Sequence, residues 1–328
     1  MNKSMSRIKV GVARGGPSSE YDISLKTGGE VLKYLPERYE GLDVLIDKSG
    51  QWHLSGFPQK PLEIFERVDV LFNALHGEFG EDGRVQQLFE GCNAPYTGSR
   101  ILASALAMKK HLAREIFQQF GISVPKAMVF SADKFYGLDV ADCAKKIFNS
   151  MSPPWVIKPA SAGSSVGVSI CSSFSELVRA MEKASAVGDV VLAEGYIKGR
   201  EATCAVLEDF RGEKYYALPV VEIVPPLGKF FDYDVKYDGS TREICPAGFD
   251  GDTKRRLEQT ARLAHQILGC RHYSRADFIV AKDGVYLLEV NTLPGLTSES
   301  LFPKAAAAAG LEFPQLLDHI LKLALTKG

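Results

Sequence analysis

The chain has 328 residues, of which 45% are hydrophobic and 24% are charged, and its formal net charge is −1. A chain of this length folds as two or three domains and can bury a large core without covalent cross-links. The balanced charge argues against binding to nucleic acid. Residues 1–9 lack a signal-peptide pattern and no apolar run is long enough to cross a membrane, so we expect a cytoplasmic protein.

Six cysteines are spread along the chain, and no two of them form a CxxC pair or lie in a histidine cluster. They are Cys92, Cys143, Cys171, Cys204, Cys245 and Cys270. This pattern is typical of reduced thiols and does not indicate a structural zinc site or a disulfide framework.

Strand and helix signals alternate along the first hundred residues, which indicates an α/β fold. An apolar strand at 8–13 is followed by a glycine-rich turn at 14–20 and a helix at 23–35. A second strand at 68–75 leads into the turn at 76–83 and a helix at 84–90. Open α/β sheets bind ligands at such turns, so both turns are candidate site segments.

The rest of the chain reads as two further α+β regions. Gly98 and Ser99 begin one long predicted helix that Gly121 ends, with a domain boundary near Lys109. Strands are predicted at 127–130, 155–158, 166–171 and 190–194, and helices at 174–186, 253–268 and 316–325. The predicted domains are residues 1–109, 110–198 and 199–328.

A loop of small residues at 158–167 joins two of these strands. Small residues let backbone N–H groups approach an anion, and Lys158 adds a positive charge at the strand end. The loop lacks the GxxxxGK[ST] pattern of a P-loop, and a merely flexible turn is an equal alternative.

Residues 274–280 and 285–291 form a predicted strand pair that places polar groups on one face. With a three-residue loop at 282–284, Ala281 faces Val285, Asp277 faces Glu289, and Arg275 faces Asn291. Phe278, Val280, Tyr286, Leu288 and Val290 then form the apolar face.

Two directly opposed carboxylates repel each other unless a positive charge lies between them. Asp277, Glu289 and the Asn291 carbonyl are hard oxygen ligands that suit Mg²⁺ bound together with phosphates. The alternative is a solvated strand face with a salt bridge to Arg275. A two-residue turn would place the two carboxylates on opposite faces and would argue against the metal site.

Other polar residues carry little information by themselves. Lys110 lies on a predicted helix, Lys236 in a polar loop and His76 at a strand end, and each of these positions suits an ordinary structural residue. Glu20 lies near a helix start, where interaction with the helix dipole explains it.

An ordered series of motifs nevertheless resembles the D-alanine–D-alanine ligase family of the ATP-grasp superfamily. The motifs are residues 15–24, 74–77, 80–83, 95–99, 156–159, 163–167, 231–237, 245–248, 275–277 and 288–297. The resemblance spans nearly the whole chain. It implies an N-terminal Rossmann-like parallel-sheet domain, two α+β domains that clasp ATP, and a homodimer.

The resemblance also implies which residues bind ATP and metal. Two Mg²⁺ or Mn²⁺ ions would be held by Asp277, Glu289 and Asn291. ATP would be bound by Lys110, Lys158, Ser165, Glu194, Ile197, Glu201 and Lys236. Gly195 stands where many relatives have Lys or Glu beside the adenine.

The substrate residues follow from the same resemblance. Glu20, Ser164 and Tyr237 would hydrogen-bond together, and Glu20 with His76 would meet the first D-alanine. Arg275 and the Gly295 N–H would stabilise the oxyanion, and Ser300 with Leu301 would contact the second D-alanine. Tyr237 goes with dipeptide formation, whereas relatives that use D-lactate tend to carry His in this loop.

The implied reaction runs through an acyl phosphate of the first D-alanine, which the amine of the second attacks, for peptidoglycan precursor synthesis. Three alternatives are weaker. One is a ligase for another amino-acid or hydroxy-acid pair, and another is a non-catalytic ATP-binding protein. A nicotinamide-dependent oxidoreductase ranks last, because residues 11–16 do not fit GxGxxG.

Overall fold

A computed structural model describes residues 7–131, 140–161, 167–226 and 241–326. Four predicted site residues, Ser164, Ser165, Lys236 and Tyr237, lie outside the described residues. Within the described part, no helix is both long enough and apolar enough to cross a bilayer.

The first sheet has five strands in the order β4-β3-β2-β1-β5. The strands are β1 (Ile8–Gly15), β2 (Tyr39–Ile46), β3 (Trp52–Leu54), β4 (Phe57–Pro58) and β5 (Val70–Asn73), and the helices are α1 (Tyr21–Tyr34), α2 (Pro61–Phe65) and α3 (Arg84–Gly91). β1 pairs in parallel with both β2 and β5. The parallel ladder brings the two glycine-rich turns after β1 and β5 to the same sheet edge.

The long helix predicted from Ser99 to Gly121 is wrong, because the chain forms two helices there. They are α4 (Ile101–Met108) and α5 (Lys110–Gln119). Lys109 separates them with a non-helical ψ of 83°, and the backbone N–H of Lys110 donates to Ala160 O at 2.9 Å. This bond ties the start of α5 to the end of a strand in the second sheet.

The second sheet has four strands in the order β6-β9-β7-β8, all antiparallel. Its strands are β6 (Ala127–Ser131), β7 (Trp155–Pro159), β8 (Ser169–Cys171) and β9 (Val190–Gly195), and its helices are α6 (Val140–Ser150) and α7 (Phe174–Ser185). Ser173 and Glu176 form a capping box that begins α7. Trp155, Ile147 and Leu177 are buried in a core confined to this region.

The third sheet has six strands, with β13-β12-β10-β14-β15 in order and β11 paired to β10. Its strands are β10 (Arg200–Phe210), β11 (Glu213–Ala217), β12 (Val221–Val224), β13 (Arg242–Ile244), β14 (Tyr273–Ala281) and β15 (Gly284–Asn291). Helix α8 (Gly251–Ile267) packs Leu257, Ala261 and Ala264 against it. The chain ends with α9 (Leu301–Ala308) and α10 (Phe313–Thr326).

The core of the first sheet continues into the last part of the chain. Val10 and Phe72 share one buried cluster with Leu207 of β10, Phe302 of α9 and Leu316 of α10. The first and third sheets are therefore packed into one core, whereas the second sheet has its own.

Candidate active site

The β14–β15 hairpin carries the polar face that the sequence predicts, through a different turn. Ala281 pairs with Gly284, so the turn has two residues, and the prediction that Ala281 faces Val285 is wrong. A β-bulge between Asp277 and Phe278 restores the offset, and Asp277 lies opposite Glu289 and Arg275 opposite Asn291. The opposed carboxylates predicted from the sequence are thus present.

The bulge also changes the apolar face of the hairpin. Leu287 is fully buried opposite Phe278, while Leu288 and Tyr286 are only half-buried. The prediction that Tyr286 and Leu288 face the core is therefore wrong, because the extra residue at the bulge shifts the alternation on β15 by one position.

A cavity of about 910 Å³ opens between the turns of the first sheet, the start of α5 and this hairpin. Nine predicted site residues line it: Glu20, His76, Lys110, Arg275, Glu289, Asn291, Gly295, Ser300 and Leu301. One cavity thus joins residues that are up to 281 positions apart in the sequence.

The two glycine-rich turns form one end of the cavity. Ser18 Oγ donates to His76 O at 2.7 Å and accepts from the Glu20 N–H at 3.0 Å, so the turns are hydrogen-bonded together. Gly77 has φ 70°, and a Cβ at this position would lie 2.6 Å from Glu20 Oε2. Glycine at 77 therefore leaves room for the Glu20 carboxylate.

The His76 side chain is buried between Thr27 of α1 and Glu81 of the second glycine-rich turn. Its Nε2 lies 2.9 Å from Thr27 Oγ1, and its Nδ1 lies 3.7 Å from Glu81 Oε1. Glu81 also accepts the Gly77 N–H at 2.8 Å and lines the cavity. The sequence analysis included Glu81 within a motif but gave it no role, and its contact with His76 and its place in the cavity lining identify it as a candidate site residue.

Arg275 and Asp277 form a buried bidentate ion pair on β14. Nε and Nη2 of Arg275 each lie 2.8 Å from a carboxylate oxygen of Asp277, which also accepts from Thr203 Oγ1 at 2.7 Å. Burial alone would lower the pKa of Arg275, but the charge and hydrogen bonds of Asp277 outweigh it and raise that pKa. The guanidinium therefore stays charged across the working pH range.

Glu289 is paired with a different cation. Lys110 Nζ, at the start of α5, lies 3.1 Å from Glu289 Oε2. Each of the opposed carboxylates on the hairpin thus has a cationic partner. Asn291 Oδ1 accepts the Leu293 N–H at 3.1 Å, which holds the amide oxygen on the same strand face.

These groups fit a hard divalent cation shared with phosphates. Among the described residues, no group of three or more His, Cys, Asp or Glu side chains could hold a metal ion. Asp277 and Glu289 supply two carboxylates and Asn291 an amide oxygen. Mg²⁺ commonly takes one or two carboxylates and completes its shell with water and substrate phosphates, so this donor set is adequate.

The other predicted nucleotide residues lie away from the cavity lining. Lys158 Nζ and Glu194 Oε2 form a buried ion pair at 2.7 Å between β7 and β9. Ile197 is half-buried in the segment after β9, and Glu201 is the second residue of β10, opposite Ile279. A Cβ at Gly195 would meet no atom closer than 3.8 Å, so the backbone there would accept a side chain.

Ser300 and Gly295 also line the cavity, in the loop before α9. Thr297 contacts Ser300 Oγ through its backbone N–H at 3.1 Å and its hydroxyl at 2.8 Å. A Cβ at Gly295 would lie 2.8 Å from Ser300 Oγ. Glycine at 295 thus lets the 295–300 loop bring its backbone close to the serine hydroxyl.

Two protein-family models match this chain, one in its C-terminal part and one in its N-terminal part. A family model described as D-ala D-ala ligase C-terminus matches residues 116–322, and one described as D-ala D-ala ligase N-terminus matches residues 55–99. The chain belongs to the D-alanine–D-alanine ligase family. It is 41% identical over 321 residues to the D-alanine–D-alanine ligase of Geobacter sulfurreducens, which covers 97% of this chain and 94% of that protein.

Solved structures agree with this assignment. The D-alanine–D-alanine ligase of Coxiella burnetii superposes with a TM-score of 0.83 at 25% identity and covers 98% of this chain and 95% of that one. The VanG D-Ala:D-Ser ligase of Enterococcus faecalis gives 0.82 at 30% identity, with coverage of 97% and 99%. The Bacillus anthracis D-alanine–D-alanine ligase complexed with ATP gives 0.78 at 31% identity, with 97% of each chain covered.

These matches confirm the resemblance and the predicted mixed α/β fold of the ATP-grasp type. The protein is an enzyme of this ligase family. The individual roles of the site residues and the three domain limits stay predictions.

Proposed function

We propose that the cavity is the centre at which this ligase joins two molecules of D-alanine with ATP. The observation that carries the proposal is the position of Glu289, which lies opposite Asp277 on the hairpin and lines the same cavity as Glu20 and Ser300. A carboxylate and an amine substrate would bind on the two sides of the ATP phosphates. Nine of the residues that the family resemblance assigns to these tasks line the cavity.

In the first half-reaction, the carboxylate of the donor D-alanine attacks the γ-phosphorus. An oxygen–phosphorus bond forms, the bond to the ADP oxygen breaks, and an acyl phosphate results. Glu20 binds the donor ammonium group, and Lys110 neutralises charge on the transferred phosphoryl group. Lys110 would exchange Glu289 for phosphate oxygens when ATP binds.

In the second half-reaction, the neutral amine of the acceptor D-alanine attacks the acyl carbon and phosphate leaves. The Arg275 guanidinium and the Gly295 N–H are placed to stabilise the oxyanion of the tetrahedral intermediate. Asp277 holds the Arg275 guanidinium in place through two hydrogen bonds, and Ser300 with the Leu301 N–H receives the acceptor carboxylate. Ser300 and Leu301, which are proposed to bind the acceptor, line the same cavity as Glu20, which is proposed to bind the donor.

Asp277, Glu289 and Asn291 would hold Mg²⁺, or Mn²⁺, against the ATP phosphates. The metal would supply charge neutralisation of the β- and γ-phosphates. The hairpin would hold these metal ligands rigidly, because the β-bulge and the ion pair with Arg275 fix the direction of the Asp277 side chain.

Metal dependence tests this assignment. Asp277→Asn and Glu289→Gln should each lower kcat by about 100-fold and raise the Mg²⁺ concentration needed for half-maximal rate by at least about tenfold. The matched control is Asp283→Asn, which removes a carboxylate from the exposed turn of the same hairpin and should change neither value. An unaltered Mg²⁺ requirement in both site variants would remove the carboxylates from the metal site.

A different acceptor is the second candidate function. The structural match to a D-Ala:D-Ser ligase at 30% identity favours D-serine as the amine to compare with D-alanine. The residue that the sequence analysis used against D-lactate, Tyr237, lies outside the described residues. The choice of D-alanine over D-serine as the acceptor is therefore part of the proposal.

A homodimer in the cytoplasm and a role in peptidoglycan precursor synthesis complete the proposal. The family resemblance implies the homodimer and the role in peptidoglycan synthesis, and the cytoplasmic location is the expectation of the sequence analysis. None of the three depends on the residues of the cavity.

A further inference from the structure

An ion pair beside the acceptor end of the cavity has no part in the roles given so far. Lys304 Nζ lies 2.7 Å from Glu243 Oε2 and 3.5 Å from Glu299 Oε2. Lys304 and Glu243 both line the cavity. Their side chains are only 35% and 21% exposed, whereas Glu299 is 86% exposed.

The position of Lys304 within its helix is unfavourable unless a partner compensates it. Lys304 lies one turn into α9, whose first turn contains no acidic residue. The N-terminus of a helix carries partial positive charge and repels a cation. Burial lowers the pKa of Lys304, but the hydrogen bond and charge of Glu243 outweigh it and raise that pKa.

Glu243 belongs to a different part of the fold. It lies on β13 at the edge of the third sheet, where it is paired with Ile223 of β12. Lys304 is 61 residues further along the chain, one turn after Ser300 and Leu301. The ion pair therefore fixes the start of α9 to the edge of the sheet that walls the cavity.

We propose that Lys304, held by Glu243, is a positioning residue for the amino acid that accepts the acyl group. The pair sets where Ser300 and the Leu301 N–H stand relative to Arg275, which lines the same cavity. It acts through these groups and does not touch the reacting atoms. The inference rests on the proposed acceptor site at Ser300 and Leu301.

The chemistry of the acceptor predicts a specific effect of losing the Lys304–Glu243 ion pair. The acceptor carries a carboxylate that must be held while its amine points at the acyl carbon, so a small displacement of α9 misdirects the amine. The acyl phosphate then has more time to react with water. Loss of the pair should thus weaken acceptor binding and release phosphate without dipeptide, while donor and ATP binding stay as they are.

Steady-state kinetics on the full-length enzyme tests the proposal, with phosphate and dipeptide both measured over a wide range of D-alanine. Lys304→Met and Glu243→Gln should each raise the KM of the second D-alanine about three- to tenfold and leave the KM of ATP and of the first D-alanine unchanged. The ratio of phosphate to dipeptide should rise above one. The double variant should be no worse than either single variant, because both remove the same interaction.

The matched control is Glu299→Gln, which removes the second carboxylate near Lys304 from an exposed position and should leave all constants unchanged. Lys304→Arg keeps the positive charge and should leave the acceptor KM close to that of the unaltered enzyme. This result would distinguish a positioning role from a loss of folding. Additive effects of the two single variants, an equal rise in the KM of ATP, or no change in the acceptor KM would overturn the inference.

Ser300→Ala separates this inference from the function beneath it. A raised acceptor KM in Ser300→Ala with a normal Lys304→Met enzyme would reject only the positioning role. A normal acceptor KM in Ser300→Ala would reject the proposed acceptor site, and the positioning role with it.

Discussion

Two ion pairs at the cavity each join a cationic side chain to one of the opposed carboxylates. Lys110 is bound to Glu289 and Arg275 to Asp277, at distances of 3.1 Å and 2.8 Å. Pairing prevents the repulsion that two opposed carboxylates would otherwise cause. The Lys110 pair bridges α5 and β15, whereas the Arg275 pair lies within β14, so only the first joins two elements.

The cysteines give a residue-scale prediction about pH. Burial raises the pKa of Cys171 to about 11 and that of Cys270 to about 12, whereas Cys92 is exposed. Only the thiolate reacts with disulfide reagents, and at about pH 8 a thiol of pKa about 11 is ionised to roughly one part in a thousand. Cys92 should therefore react at least about tenfold faster than Cys171 or Cys270 in the native protein.

Time-resolved labelling at about pH 8, followed by peptide mass spectrometry, measures these rates. The unfolded protein serves as the control, in which all three cysteines should react at similar rates. Fast labelling of Cys270 in the native protein would contradict the burial of the segment before β14.

Some site residues could be found from the sequence because motif and alternation point to the same side chains. Asp277 and Glu289 are such residues, since both lie in the family motifs, and alternation with the assumed three-residue turn also puts them on one face. Glu81 and Lys304 could not be found this way. Their roles follow from contacts with His76 and Glu243, and such contacts between distant segments are set by tertiary packing.

Among the elements, the break between α4 and α5 matters most for the site. Lys109 is exposed, whereas Lys110 lines the cavity and pairs with Glu289. A continuous helix, as predicted from the sequence, would still point these neighbours in different directions. The break adds the bond from the Lys110 N–H to Ala160 O, which holds the start of α5 near the end of β7.

The two adjacent lysines form a matched pair for an element-scale test. Lys110→Ala should raise the KM of ATP by at least about tenfold, because a charged hydrogen bond to phosphate is lost. Lys109→Ala should change it by less than about twofold, because its side chain points to solvent. ATP titration in the dipeptide assay measures both, and equal effects of the two substitutions would show that the position of Lys110 at the cavity does not give it a special role in ATP binding.

Strongly periodic elements such as β1, α7 and α8 were predicted to within a few residues. β2, β3, α2 and α6 were not predicted, and their patterns show why. Tyr39–Ile46 contains Gly41 and Asp43, which disfavour a strand, and pairing with β1 outweighs that local preference. The β15 register was right at Glu289 because the two-residue turn and the bulge cancel, which no local pattern indicates.

In the whole molecule, the two walls of the cavity share a buried core that does not include the second sheet. The first and third sheets share one core with α9 and α10. Arg271, just before β14, donates to Gly98 O at 2.9 Å and Tyr96 O at 3.0 Å, and so ties the two walls together. The second sheet has its own core, and elements with separate cores can open as separate units.

This arrangement fits the order of the proposed reaction. The proposed donor and acceptor sites must keep a fixed separation while the acyl group is transferred from one amino acid to the other. The elements next to both sites pack into the shared core. Lys158 and Glu194, which the resemblance assigns to ATP, belong to the second sheet. The residues proposed for ATP therefore come from the second sheet and also from the third sheet, which carries Glu201 and Glu289.

One measurement tests the central claim most directly. The purified protein would be incubated with Mg-ATP and D-alanine, and dipeptide and phosphate would be quantified together by mass spectrometry and a phosphate assay. L-alanine alone, and D-alanine with excess D-serine or D-lactate, would be run in parallel. We expect D-alanyl-D-alanine and phosphate in equal amounts, with no product from L-alanine and little mixed product. Absence of the dipeptide, or faster formation of a mixed product with D-serine or D-lactate, would contradict the assignment of D-alanine to both ends of the cavity.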